Sequence, residues 1–304
     1  MYTKDLLTQE EIKQYSQRSN WAALRVVGVT WGSIAAIFAM VAVWPNVITV
    51  VLAILLLGGR QLGLAVIMHD GGHGTLFTRW SINRFVAQWC GAVYVFNDAW
   101  AYRVHHARHH RLGGSHEDPD LYKYVNYAIA RKDFFRKILR DLTGVTAYRA
   151  IRGNLTKHGW RLVRNWAIAH GILYAILFAF GQPWLYLLWI AAYATSHQFI
   201  LRIRLAAEHG AVEDLMDSDP RKHTRTTLPR IWERPFFAPN FVNFHLEHHV
   251  LASVPCYRLT AFHQLLREKG YLDRAEVCGS YWEVVKKLVL PAGMTKEKII
   301  VHTH

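Results

Sequence analysis

Four apolar runs, set in two closely spaced pairs, constrain this chain more than any other feature of its 304 residues. They cover about residues 21–44, 47–68, 165–180 and 184–205. A helix of roughly 20 apolar residues crosses the hydrocarbon core of a bilayer, so each run is a candidate span. Within each pair the break is minimal, Pro45-Asn46 in the first and Gly181-Gln182-Pro183 in the second. Both are turn sequences, and neither carries Lys or Arg. The expected fold is an all-α integral membrane protein: one domain over residues 1–304, with four transmembrane helices in two hairpins beneath a helical cap.

The chain carries 36 Lys and Arg against 22 Asp and Glu, a formal charge of +14. Because the two tight turns hold none of the basic residues, the charge falls on the other side, which the positive-inside rule assigns to the cytoplasm. A bacterial inner membrane protein with a cytoplasmic active face is the expected location. No nucleic-acid recognition motif accompanies the charge, so a nucleic-acid partner is not expected. Cys90, Cys256 and Cys278 are odd in number and lack paired spacing, which argues against a disulfide framework or a thiolate metal site. The start of the chain is polar, with Lys4, Asp5, Glu10, Glu11 and Lys13, unlike a cleavable secretory signal.

Between the hairpins, residues 82–97 form a further apolar stretch, too short to cross a bilayer. Were it to cross, His69 and His106 would face opposite sides, so a site shared by them requires a re-entrant or surface-lying segment. In 133–142, Phe134, Phe135, Ile138, Leu139 and Leu142 fall opposite Arg136, Lys137 and Arg140. That pattern suits a helix lying in the headgroup plane or one packed on the protein's own core. Leu259, Phe262, Leu265 and Leu266 predict another amphipathic helix, with Gly270 as its stop. Arg60 falls well inside the second run, where a charge is rare and has a partner or a function; it either snorkels or lines a substrate tunnel with Gln61.

Nine histidines form three compact clusters and one outlier. The clusters are His69-Asp-Gly-Gly-His73, His106-Ala-Arg-His109-His110 and His245-Leu-Glu-His248-His249; the outlier is His209 in Ala207-Glu208-His209-Gly210. Positions i, i+3 and i+4 share one helix face, so each cluster aims two or three imidazoles at one place. The spacing and wide separation in sequence distinguish a built metal site from a loose histidine-rich tract. Nine imidazoles exceed what one four-coordinate zinc takes, whereas two ions with four or five nitrogens each match the count. Imidazole suits zinc, copper, iron and nickel, so ligand type leaves the metal open.

The boxes, their order and the hairpins between them resemble the membrane fatty acid desaturase and hydroxylase superfamily, over about residues 21–270. The surroundings are similar to those of bacterial acyl-lipid desaturases: His69-Asp70 with His73-Gly74, Asp118-Pro119-Asp120, and Asn243-Phe244-His245-Leu246-Glu247-His248-His249 followed by Pro255. The resemblance implies two iron ions held by the eight box histidines and a ninth before the third box, for which the matching residue is His209. His197 and His223 compete for that place. His105 lies off the helical register and is excluded; His116, His158, His170, His263, His302 and His304 are expected to be structural or solvated, with His170 alternatively touching substrate.

Asp70, Asp118, Asp120, Glu208 and Glu247 are candidates to accept the free ring N–H of ligating histidines, which fixes tautomer and orientation. Gly71 and Gly72, unfavourable in a helix by about 1 kcal/mol each, suggest close approach of metal, substrate or another helix. The implied activity is O2-dependent oxidation of a long acyl or hydrocarbon chain, foremost fatty acid desaturation. Hydroxylation, oxidative decarboxylation or carotenoid oxidation by the same centre are the alternatives, and a metal-ion transporter is the alternative from another class. No flavin, nicotinamide or iron–sulfur fingerprint is present, so an external donor of ferredoxin or cytochrome b5 type is expected.

Overall fold

The computed structural model describes residues 6–291, apart from the His158 side chain. Lys4, Asp5, His302 and His304 lie outside the described residues. The first hairpin joins α1 (Asn20–Val43) to α2 (Val47–His73). Asn46 caps α2 by accepting from the Ile48 and Thr49 amides, and the Thr49 hydroxyl caps the Trp44 carbonyl. These bonds satisfy backbone groups that a helix end otherwise leaves orphaned. Val47 and Ile48 are each 79% exposed, an apolar surface that calls for lipid rather than water.

The stretch at 82–97 folds as α3 (Trp80–Trp89) and a single 3₁₀ turn, Ala92–Val95. At about 15 Å, α3 is too short to cross, and the chain turns back into α4 (Ala99–Leu112), which carries the second box. Asp98 caps α4 through the Trp100 and Ala101 amides.

In α5 (Arg131–Leu142), Phe134 is buried but Phe135, Leu139 and Leu142 are exposed, so most of its apolar face has no protein cover. The next helix, α6 (Val145–Ala179), breaks at Gly159 (φ 63°), and its part from Gly159 to Ala179 is long and apolar enough to cross a membrane. Gly181 (φ 71°) turns the second hairpin.

The fourth run is not one continuous helix. It breaks at Thr195 into α7 (Leu185–Ala194) and α8 (Ser196–His209), so three rather than four helices meet the length and hydropathy of a span among the described residues. Hydroxyls occupy the carbonyls at the break: Thr195 donates to the Ala191 carbonyl and Ser196 to the Ile54 carbonyl. Such side-chain donors let an apolar helix change direction without stranding backbone groups. Gly58 makes room there, since a Cβ on it would lie 2.8 Å from the His197 backbone nitrogen.

The cap is not wholly helical. Strands β1 (Arg225–Thr227) and β2 (Glu276–Cys278) pair in parallel, with Thr226 opposite Val277. Around them pack α9 (His245–Val250), with the third box, α10 (Leu259–Glu268) and α11 (Tyr281–Leu288). Leu259, Phe262 and Leu266 bury the inner face of α10, and Gly270 (φ 69°) follows its end.

Candidate metal centre

The ends of α2 and α4, the start of α9 and the end of α8 converge on one place. His69 and His73, one turn apart at the end of α2, join His106, His110 and His248 in one group whose ligand atoms all lie within 4.8 Å of one another. His109, His209, His245 and His249 form a second group within the same limit. The helical register sorts them: along α4, His106 and His110 turn to the first group and His109 to the second. Along α9, His245 and His249 face the second group and His248 the first. The groups adjoin, with the His110 and His249 rings 4.5 Å apart.

Three of the outer ring nitrogens are anchored by hydrogen bonds, and a fourth lies beside a carboxyl group. His69 Nδ1 lies 2.7 Å from Asp70 Oδ1, His109 Nδ1 2.9 Å from Asp118 Oδ1, and His209 Nδ1 2.8 Å from the His223 carbonyl. His245 Nδ1 is 3.1 Å from Glu208 Oε1, which also meets Arg204 at 2.5 Å. A carboxylate or carbonyl at Nδ1 fixes the proton there and leaves the Nε2 lone pair facing inward. Inward, Nε2 atoms crowd together, 3.0 Å apart between His106 and His110 and 2.9 Å between His209 and His245. The Nε2 atoms of His69, His73, His248 and His249 are buried without a hydrogen-bond partner.

Orphaned buried nitrogens are costly, and a cation shared within each group would satisfy them. Burial, reinforced by the neighbouring imidazoles, holds His106, His245, His248 and His249 well below the usual imidazole range, and His110 at about 2. These rings are therefore neutral, the form that binds metal. Burial opposes ionisation of Asp118, but the His109 and Tyr124 hydrogen bonds hold it below the usual carboxylate range.

Two of the five expected carboxylate roles need correction. Asp120 accepts from His105 Nε2 at 2.6 Å and pairs with Lys123, not with a box histidine. Glu247, fully buried, meets His263 Nδ1 and the Thr226 hydroxyl, each at 2.5 Å. His263 is thus a positioned partner. His197 stacks on Tyr193 and His223 hydrogen-bonds the Asp217 carbonyl; neither belongs to the two nitrogen groups. His170 sits between the Val93 carbonyl and the Tyr186 hydroxyl.

The two glycines of the first box differ. A Cβ on Gly71 would meet Ala87 Cβ at 2.8 Å, so the close neighbour is α3, whereas Gly72 has only Arg103 at an ordinary 3.7 Å. Gln61 donates to the Trp189 carbonyl and Arg60 to the Pro235 carbonyl. Tyr124 was not singled out from sequence, yet it donates to Asp118 and stacks on His209 at 4.6 Å. Nothing in the periodicity marks it.

A cavity of about 220 Å³ reaches the centre. His69, His106, His109, His209 and His245 line one part; Leu62, Ala65, Val66 and Leu201 line another; Asn97, Asn154, Gln198, Lys123 and Arg204 add polar wall.

Residues 42–281 match the family described as fatty acid desaturase. A curated relative, the dihydrorhizobitoxine desaturase of Bradyrhizobium elkanii, is 26% identical over 263 residues, covering 76% of this chain and 70% of its own length. With a match over most of its length, joined to histidine clusters able to hold metal, this chain belongs to the fatty acid desaturase family.

Proposed function

We propose that this protein is a membrane di-iron oxidoreductase that uses O2 to desaturate an acyl or related hydrocarbon chain. The observation that carries this reading is the division of nine inward-facing imidazoles into adjacent groups of five and four. An all-nitrogen, neutral donor set of this size suits two borderline divalent ions, and family membership supports iron as the metal. His69, His73, His106, His110 and His248 would hold one ion; His109, His209, His245 and His249 the other. The irons would supply O2 reduction coupled to C–H oxidation.

The chain's own contribution is positional. Asp70 and Asp118 orient His69 and His109 through hydrogen bonds, and Glu208 lies beside His245. The apolar wall of Leu62, Ala65, Val66 and Leu201 seats methylenes and excludes water beside the centre. The balanced reaction takes two hydrogens from adjacent carbons, with O2, two electrons and two protons giving the alkene and two waters. The electrons come from an external ferredoxin or cytochrome b5 type donor, for which the basic face is electrostatically suited. We place four spans in the membrane, counting the broken α7–α8 pair as the fourth, and the centre on the cytoplasmic side of a bacterial inner membrane. Residues 1–304 are read as one desaturase-like domain.

A second reading concerns the substrate. The relative is named for a substrate called dihydrorhizobitoxine, and the cavity's wall includes Lys123, Arg204, Asn154 and Gln198. These favour a substrate with polar groups near the reacting carbons. Mass-spectrometric profiling of lipids and of polar metabolites, with and without the gene, decides between them. A new double bond in lipids supports the acyl reading, a change confined to polar metabolites supports the second, and neither change contradicts both.

A further inference from the structure

Arg60 has no role in the centre described above, yet its surroundings are specific. About 20 Å along α2 from Val47, its guanidinium makes one hydrogen bond among the described residues, to the Pro235 carbonyl at 2.6 Å. A guanidinium has five N–H donors, so most remain available. Arg60 opens into a groove of about 800 Å³ between α1, α2 and the cap. Arg25 of α1 and Arg234 of the cap line the same groove, and no Asp or Glu does. None of these three arginines takes part in an ion pair among the described residues.

Three arginines with no carboxylate among the other lining residues make the groove positively charged, which favours an anion there. The groove is built by close packing: a Cβ on Gly59 would lie 3.0 Å from Phe236 Cα, so glycine at this position lets the cap segment lie against α2. Val26, Val29 and Phe241 give it an apolar wall. Exposed Trp21 precedes Ala22 of its lining in sequence, a residue type that settles at a membrane interface. An apolar wall beside arginine donors matches an amphiphile whose polar end is a planar or tetrahedral oxyanion, and arginine favours phosphate through paired hydrogen bonds.

We propose that the groove lined by Arg25, Arg60 and Arg234 binds a phosphate group carried by an anionic amphiphile. The site is separate from the histidine centre and does not depend on iron or on turnover.

The test uses the full chain in neutral detergent, with native mass spectrometry and equilibrium titration of dioctanoyl phosphatidylglycerol, dioctanoyl phosphatidylcholine and inorganic phosphate. Phosphatidylglycerol should bind about tenfold more tightly than phosphatidylcholine, and Arg25→Gln and Arg234→Gln should each weaken it up to about tenfold. Arg136→Gln, an equal loss of charge on α5, should leave binding unchanged. Arg60→Gln should have the largest effect; should it fail to fold, the Arg25→Gln/Arg234→Gln double variant carries the test. Inorganic phosphate binding as tightly as phosphatidylglycerol would keep the phosphate site and assign it to the free ion. Equal binding of the two lipids with no binding of phosphate, or variants indistinguishable from Arg136→Gln, would overturn the proposal.

Discussion

Asp70 and Cys256, 186 positions apart, are joined by a 3.1 Å hydrogen bond from the Cys256 amide to Asp70 Oδ2. The other oxygen of the same carboxylate receives His69 Nδ1 at 2.7 Å. One buried side chain therefore ties the end of α2 to the segment after the third box while setting the orientation of a first-box imidazole. Asp70→Asn is expected to weaken metal binding by about 10–100-fold, measured as iron retained during dialysis against a chelator. Retention equal to the parent protein would remove Asp70 from the site.

His209 is the residue whose place rests on geometry rather than on a box. Its Nε2 lies 2.9 Å from His245 Nε2, while its Nδ1 is held by the His223 carbonyl. His209→Ala should lower iron occupancy and abolish product formation, and His197→Ala and His223→Ala should leave iron largely in place. Full occupancy in His209→Ala, with loss in either of the others, would move the ligand.

Much of the centre was legible because i, i+3 and i+4 spacing brings His106, His109 and His110 to one side of their helix; their division, with His106 and His110 in one group and His109 in the other, was not, because it depends on which imidazoles the other helices bring up. His209 had no such signal and was reached through family resemblance. The partners of Asp120 and Glu247 were not legible, because His105 and His263 are chosen by tertiary packing and leave no spacing in the sequence. The break at Thr195 coincides with a polar stretch, Thr195-Ser196-His197-Gln198, which the apolar residues on either side mask when the run is read as a whole. Strands of three residues, such as β1 and β2, are too short to show a period of two. The partner of Arg60 is a backbone carbonyl, which no side-chain pattern encodes.

The Glu247–His263 contact is expected to matter for stability. His263→Ala removes one of two partners from a carboxylate that is fully buried. A loss of about 1–3 kcal/mol is expected, read from thermal unfolding in micelles, with iron still bound at low temperature. An unchanged unfolding temperature would show that Thr226 alone suffices.

Two helix glycines should respond oppositely to alanine. Gly71→Ala must displace α3, whose Ala87 Cβ and Asn83 carbonyl would sit at 2.8 and 3.0 Å from the new carbon. It should destabilise the protein and loosen the first box. Gly28, with nothing within 4 Å, should accept alanine with a gain of up to about 1 kcal/mol. Unfolding curves of the two variants side by side decide the matter, and equal behaviour would contradict the packing described.

The central claim is that the nine histidines hold two irons, and the direct measurement is metal content per chain after anaerobic ferrous loading and removal of excess. Two irons per chain are expected, falling in His106→Ala, His110→Ala and His249→Ala, with O2 uptake only when reductant and substrate are both present. A single tightly held zinc that iron does not replace would contradict it.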